Sequence, residues 1–299
     1  MSCKMWLGSI GVGMLSVVLA GCGGGQGGSG GDGSGISVEG SDTMVNLAQA
    51  WAEEYESRRP EVKVEVQGGG SGIGIASLID GVCDMANASR EMKAEEKELV
   101  KENHEGKEAL MHVVGYDALA IYVQKDNPLD SISIEQLAEI YGDGATITTW
   151  SQLGVSDDSP LAGKEIAAVG RQNSSGTYAY FREAVLGKNR EFRAGVAKMS
   201  GSKDVVANIT KTPGAIGYSG MGYVTDGVKM LAISPKKGEP AVAPTLENAM
   251  NATYPITRPL MIYTIGEPEG EVKAYLDWIL SEDGQKIVVD KGYVPLGDK

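Results

Sequence analysis

From Met44 to Ser57 the apolar residues Met44, Leu47, Ala48, Trp51 and Tyr55 return every three or four positions, which predicts a helix with one buried face. Beyond Pro60 the period changes: Val62, Val64 and Val66 alternate with Lys63 and Glu65, the mark of a strand with one solvated face. The two periods then take turns along the chain. Strand-like runs fall at Ile36–Val38, Val82–Ala88, Met111–Val114, Asp117–Val123, Lys164–Val169, Ala215–Tyr218, Lys229–Ile233 and Leu260–Tyr263. Helical runs fall before Ile79 and at Ala94–His104, Ser133–Tyr141, Tyr178–Leu186, Ser202–Thr210, Val272–Leu280 and Gln285–Val289. Ser133, followed by Gln136, has the spacing of a capping box. Interleaved strands and helices predict an α/β protein with mainly parallel sheets. A chain of 299 residues has room for about two domains.

The N-terminal pattern is different. Lys4 precedes an apolar run, Met5–Ala20, that is short and broken by glycine, as in an export signal rather than a membrane span. The run ends in Leu19-Ala20-Gly21-Cys22, which resembles a bacterial lipobox and makes Cys22 the expected lipidation site. Gly23–Gly35 is almost entirely Gly and Ser, a composition that cannot bury apolar surface, so it reads as a tether. With Cys3 in the signal and Cys22 carrying lipid, Cys83 remains alone, and no internal disulfide is expected.

Candidate chemistry sits where strand-like runs meet helical ones. The joining turns are Gly40-Ser41-Asp42-Thr43, Gln67-Gly68-Gly69-Gly70-Ser71-Gly72-Ile73-Gly74 and Arg171-Gln172-Asn173-Ser174-Ser175-Gly176-Thr177. Ser, Thr and Asp are the usual helix N-caps, so any one turn can be read as capping alone. Three such turns, one carrying Arg171, point instead to a small oxyanion held by helix N-terminal N–H groups, hydroxyls and a guanidinium. In open α/β sheets ligands bind beyond the carboxyl ends of strands, where these turns lie.

The formal charge of −13 argues against a nucleic-acid partner, which would demand a basic footprint. It does not argue against a small buried anion, because distant surface charge is screened over about 8–10 Å. No Gly-x-x-x-x-Gly-Lys-Ser/Thr loop and no Gly-x-Ser-x-Gly elbow occurs, and His104 and His112 are too few and wrongly spaced for a zinc or triad site. No catalytic residue, metal or cofactor is therefore expected.

The three turns together resemble the phosphate-holding segments of periplasmic phosphate-binding proteins, the substrate-binding components of phosphate ABC transporters. Pro213-Gly-Ala-Ile-Gly-Tyr218, Tyr254-Pro-Ile-Thr-Arg-Pro259 and the ending Gly292-Tyr293-Val294-Pro295-Leu296 also resemble that family. The resemblance implies a two-lobed α/β periplasmic-binding-protein fold, two chain crossovers between lobes and a ligand in the inter-lobe cleft. The expected organisation is a lipoprotein signal peptide at 1–21, a tether at 22–35, a first lobe at 36–114 plus 256–299, and a second lobe at 115–255. Crossings are expected near Val113–Tyr116 and Ala252–Thr257.

Carried over residue by residue, the resemblance implies a phosphate-binding set of Ser41, Asp42, Thr43, Ser71, Ser89, Arg171, Ser175, Gly176 and Thr177. Ser89 stands where well-known members have an aspartate, and Asn173 departs from the carboxylate of some members. Neither can refuse sulfate by charge, so Asp42 is the expected acceptor for the phosphate proton, with plain helix capping as its alternative role. Arg90 is either a second cleft cation or half of a surface ion pair. The implied partners are inorganic phosphate, ABC permease subunits and a membrane reached through lipid on Cys22, with the protein exported and monomeric. Alternatives are another oxyanion (sulfate, molybdate or tungstate), a phosphate-ester hydrolase using Ser71 or Ser175, and a surface lipoprotein adapted to adhesion or signalling.

Overall fold

The computed structural model describes residues 35–187 and 189–297. The expected signal peptide, Cys22 and all of the tether but Gly35 lie outside them. The first elements are β1 (Gly35–Gly40), α1 (Val45–Arg58), β2 (Lys63–Gln67), α2 (Ser71–Ile79), β3 (Met85–Ala88), α3 (Ala94–Asn103), β4 (Ala109–Gln124), β5 (Ser131–Ser133) and α4 (Ile134–Tyr141). There follow β6 (Ala167–Arg171), α5 (Gly176–Phe181), β7 (Ala197–Met199), α6 (Ser202–Lys211), β8 (Ala215–Gly220) and β9 (Val228–Ser234). The last are α7 (Leu246–Met250), β10 (Thr257–Ile265), α8 (Gly270–Ile279) and α9 (Glu282–Asp290).

The periodicity of α1 is realised in its packing: Leu47, Ala48, Trp51, Ala52 and Tyr55 are buried, and the Trp51 indole donates to the Gly284 carbonyl at 2.8 Å. The capping box forms at the start of α4, where the Ser133 hydroxyl accepts from Gln136 N at 3.1 Å and the Gln136 carboxamide accepts from Ser133 N at 3.0 Å.

Three apolar clusters make up the core. One is built almost wholly from residues between Ala118 and Ile256, including Trp150, Phe181 and Tyr218. The other two draw on residues before Val114 and after Leu260, including Trp51, Met85, Tyr263 and Tyr275. The chain thus makes two halves, and β4 belongs to both. Its first part, Ala109–Ala118, pairs with β10, and from Leu119 onward it is flanked by β8 and β9. The two strands expected at Met111–Val114 and Asp117–Val123 are therefore one strand of 16 residues. Gly115 allows this continuity, because a Cβ there would lie 3.0 Å from the Val294 carbonyl oxygen.

The sheet is mixed, which corrects the expectation of mainly parallel pairing. β1 pairs in parallel with β2 and β3, and β6 with β7 and β8, whereas β10 and β4 run antiparallel to the neighbours they join. The cause is topological. The chain leaves the first half along β4 and returns along β10, so the strands that carry it out and back must oppose each other.

Candidate functional site

Each of the three turns ends a parallel strand, and their side chains meet. Thr43 Oγ1 and Thr177 Oγ1, from opposite halves, lie 2.8 Å apart. Gly72 N donates to the Ser174 carbonyl at 2.9 Å, again across the halves. Glycine makes this approach feasible. A Cβ on Gly70, which sits at φ 108°, would lie 2.8 Å from the Ser174 carbonyl oxygen. A Cβ on Gly176 would lie 2.4 Å from Ser71 Oγ and 2.6 Å from Ser89 Oγ.

The first turn does not cap α1. That helix begins at Val45, after Met44, and no side chain caps it. Ser41, Asp42 and Thr43 are turned elsewhere. Ser41 Oγ donates to Ser89 Oγ at 2.8 Å. Asp42 accepts from Gly69 N at 3.0 Å and from Arg171 Nη2 at 2.9 Å. The capping alternative for Asp42 is thereby excluded. The third turn does cap its helix: Ser175 Oγ accepts from Thr177 N at 3.1 Å and Tyr178 N at 3.4 Å.

Arg171 is 1 % exposed. Besides Asp42, its guanidinium donates to Ser202 Oγ at 3.1 Å and to the Ser200 carbonyl at 2.8 Å, and its Nε–H has no acceptor among the described residues. The aromatic core fixes its base: Phe181 stacks on Tyr218 with centroids 3.8 Å apart, and the Tyr218 hydroxyl accepts from Arg171 N at 3.4 Å. Burial lowers the Arg171 pKa, Asp42 opposes that shift, and a second guanidinium, Arg258, adds to it.

Ser41, Thr43, Ser71, Ser89, Ser175 and Thr177 are all buried. Ser71 Oγ accepts from Ser89 N at 3.0 Å and lies 3.3 Å from Ser89 Oγ. Asn173, by contrast, is exposed and accepts from Lys198 Nζ at 3.0 Å. Arg90 is not a free cleft cation: it forks onto Glu96 at 2.7 and 2.8 Å, the ion-pair alternative. His104 and His112 pair with the Ile79 carbonyl and Thr264 Oγ1.

Sequence reasoning missed two residues here, Asp117 and Arg258, which form an ion pair 2.9 Å long with both side chains buried. Arg258 Nη2 donates to Thr43 Oγ1 at 3.0 Å and Thr177 Oγ1 at 2.9 Å, and Nη1 donates to the Ser89 carbonyl at 3.0 Å. Burial pushes the Asp117 carboxyl up, with Arg258 pulling it back. The signal in the sequence was one acid at the head of an apolar strand and one arginine within another, opposite charges on two runs that otherwise read as core.

Comparison with known proteins places this arrangement in a class. Residues 25–283 match a family model described as a PBP superfamily domain. A phosphate-binding protein PstS of Pseudomonas aeruginosa is 37% identical over 274 residues, covering 88% of this chain and 84% of the relative. One from Bacillus subtilis is 35% identical, covering 88% and 81%. A candidate phosphate ABC transporter substrate-binding protein from Clostridium perfringens, solved with bound phosphate, superposes with a TM-score of 0.77 at 29% identity, covering 88% of this chain and all of that one. An ABC-type phosphate transport receptor from Vibrio cholerae gives a TM-score of 0.66 at 28% identity, with 87% of this chain covered. The fold is that of the two-lobed periplasmic binding proteins. The chain belongs to the PBP superfamily, in the branch whose named relatives are the phosphate-binding proteins.

Proposed function

We propose that this protein binds inorganic phosphate outside the cytoplasmic membrane and delivers it to an ABC permease, with Ser41, Asp42, Thr43, Ser71, Ser89, Arg171, Ser175, Gly176 and Thr177 as the binding set. One observation carries the reading: the buried polar groups are arranged to donate. Thr43 and Thr177 each accept from Arg258 and spend one proton between them, which leaves the pair one to give; Ser175 accepts from two backbone N–H groups, and Ser71 accepts from Ser89 N. A hydroxyl whose lone pairs are occupied has its proton left to give. The buried Nε–H of Arg171 is a further donor without an acceptor among the described residues. Such a set matches a ligand that accepts on every side, as a phosphate oxyanion does, and leaving those donors unmet would be costly.

The named relatives and the phosphate-bound neighbour support the same ligand. Lobe limits of 36–114 plus 256–299 and of 115–255 fit the division of the apolar clusters. An exported protein anchored through lipid on Cys22 follows from the N-terminal sequence pattern, and a monomer is what the family resemblance implies. The role proposed is binding rather than hydrolysis: the named relatives are binding proteins, and among the described residues the hydroxyls of Ser71 and Ser175 meet only Ser89 and the backbone N–H groups of Ser89, Thr177 and Tyr178, with no histidine beside them. Asp42 supplies the acceptor for the phosphate proton, the one feature that separates monohydrogen phosphate from sulfate.

Calorimetric titration with phosphate, sulfate and molybdate between about pH 5 and 9 tests the reading. Phosphate is expected to bind at micromolar or better affinity, worth roughly 8 kcal/mol, which a handful of charge-assisted hydrogen bonds supplies. Arg171→Ala is expected to weaken it by about ten- to a hundredfold. Molybdate or sulfate binding more tightly than phosphate would assign the site to that oxyanion instead.

A further inference from the structure

Arg258 lies outside all three turns, yet it touches two of them. It is 2 % exposed and sits on β10, close to the point where the chain returns to the first half. One nitrogen, Nη2, forks between Thr43 Oγ1 of the first half and Thr177 Oγ1 of the second. Nη1 reaches the carbonyl of Ser89, whose hydroxyl meets those of Ser41 and Ser71. The Tyr180 ring lies 5.3 Å from the guanidinium carbon, and its hydroxyl is fastened to the Thr257 carbonyl. The guanidinium is therefore fixed from several sides at the meeting point of the candidate ligands.

Its counter-ion is poorly arranged for a purely structural pair. Asp117 takes both Nε, at 3.2 Å, and Nη2, at 2.9 Å, on the single oxygen Oδ2, while Oδ1 has no partner among the described residues. A pair built for its own stability would use both oxygens in a fork-to-fork contact. Asp117 holds the guanidinium by one edge and leaves the rest of it facing Thr43, Ser89 and Thr177. Buried ion pairs of this kind are seldom a net source of stability, so a positioning role accounts for it better than a stabilising one.

We propose that Arg258 is a second anion-contacting cation of the cleft, that it bridges the two jaws, and that Asp117 is the residue that positions it. This rests on the oxyanion-binding reading above and adds to it a second guanidinium, brought by the crossover strand rather than by a Ser/Gly turn. The two cations face the anion from different elements, each offset by its own carboxylate: Arg171 by Asp42 and Arg258 by Asp117. Removing one carboxylate leaves an unbalanced cation beside the ligand, which favours whichever anion carries more negative charge.

The test titrates phosphate and sulfate into the wild-type chain, Asp117→Asn, and the double variant Asp117→Leu/Arg258→Met, with circular dichroism reporting the fold. The double variant exchanges the buried pair for apolar groups without stranding a charge. It is expected to fold and to bind phosphate about a hundredfold more weakly. At about pH 5, where inorganic phosphate is mostly the dihydrogen monoanion and sulfate keeps two charges, Asp117→Asn is expected to shift the sulfate-to-phosphate affinity ratio toward sulfate by about tenfold, which a merely structural residue would not do. A folded double variant within about threefold of wild type, or equal changes for both anions in Asp117→Asn, overturns the proposal while leaving phosphate binding itself intact. Wild-type protein that binds no oxyanion overturns both. If the double variant does not fold, Arg258→Lys decides: it keeps the charge and loses the fork, and an unchanged phosphate affinity sinks the proposal.

Discussion

Asp42 and Arg171 are 129 positions apart in the chain and 2.9 Å apart in space. One lies in the turn after a strand of the first half and the other ends a strand of the second, so their ion pair spans the cleft. The Arg171 side chain is fully buried and that of Asp42 is 16% exposed. A pair so placed binds the halves to each other as well as lining the site, and its carboxylate is the acid of the three turns that an incoming anion would meet.

Asp42→Asn tests the acceptor role through the ratio of two affinities. Asp42 accepts from Gly69 N on Oδ1 and from Arg171 on Oδ2, so the amide keeps one of these bonds and turns an NH2 donor toward the other; both anions lose that bond, but only monohydrogen phosphate loses a carboxylate acceptor for its proton. The preference for phosphate over sulfate is expected to fall by at least about tenfold in competition calorimetry. An unchanged preference would remove Asp42 from the acceptor role.

Gly176→Ala puts a methyl group where Ser71 Oγ and Ser89 Oγ already stand, at 2.4 and 2.6 Å from the added carbon. The jaws cannot close to the same distance. Phosphate affinity should drop by about tenfold or more. The backbone here is ordinary helix, so far-UV circular dichroism should not change. Full affinity in the variant would mean that closure to this distance is not required for binding.

Ser133→Ala removes a cap far from the cleft. The lost bonds at the start of α4 are worth about 1 kcal/mol, so Tm should fall by roughly 2–4 °C. Phosphate affinity should not change. Differential scanning calorimetry paired with a titration checks both halves of the expectation.

His112 gives a pH dependence with a definite sign. Half-burial lowers its pKa below the usual value of about 6.5, with Glu267 opposing weakly. Between the folded value and about 6.5 the unfolded chain binds the extra proton, so stability rises with pH through that window and is lost as pH falls through it. His112→Gln should flatten the Tm-versus-pH curve between about pH 7 and 5, and an unchanged slope would exclude His112 as its source.

The parts of the fold legible in the sequence were those whose signal is local. The stripe of Leu47, Trp51 and Tyr55, the alternation of Val62, Val64 and Val66, and the Ser133–Gln136 spacing each depend on neighbours a few residues away. The three turns were visible for the same reason. What escaped depends on distant pairing. Nothing around Gly115 says that two strands join, because the partner that excludes a side chain there is Val294. Asp117 and Arg258 look like isolated charges until β4 and β10 are set side by side. Ser41 and Thr43 looked like caps because their chemistry suits capping, and only the register of the halves shows that Ser89, Thr177 and Arg258 claim them instead.

The outward and return strands also bear on how the molecule can be rebuilt. Leu119 N donates to the Ile256 carbonyl at 2.9 Å, so the whole second half enters and leaves through a doorway one hydrogen bond wide. It is an insertion with adjoining ends, a cassette that could be lifted out and replaced by its counterpart from a relative. Any replacement must bring its own arginine at the end of the strand equivalent to β6, because Asp42 stays behind in the host.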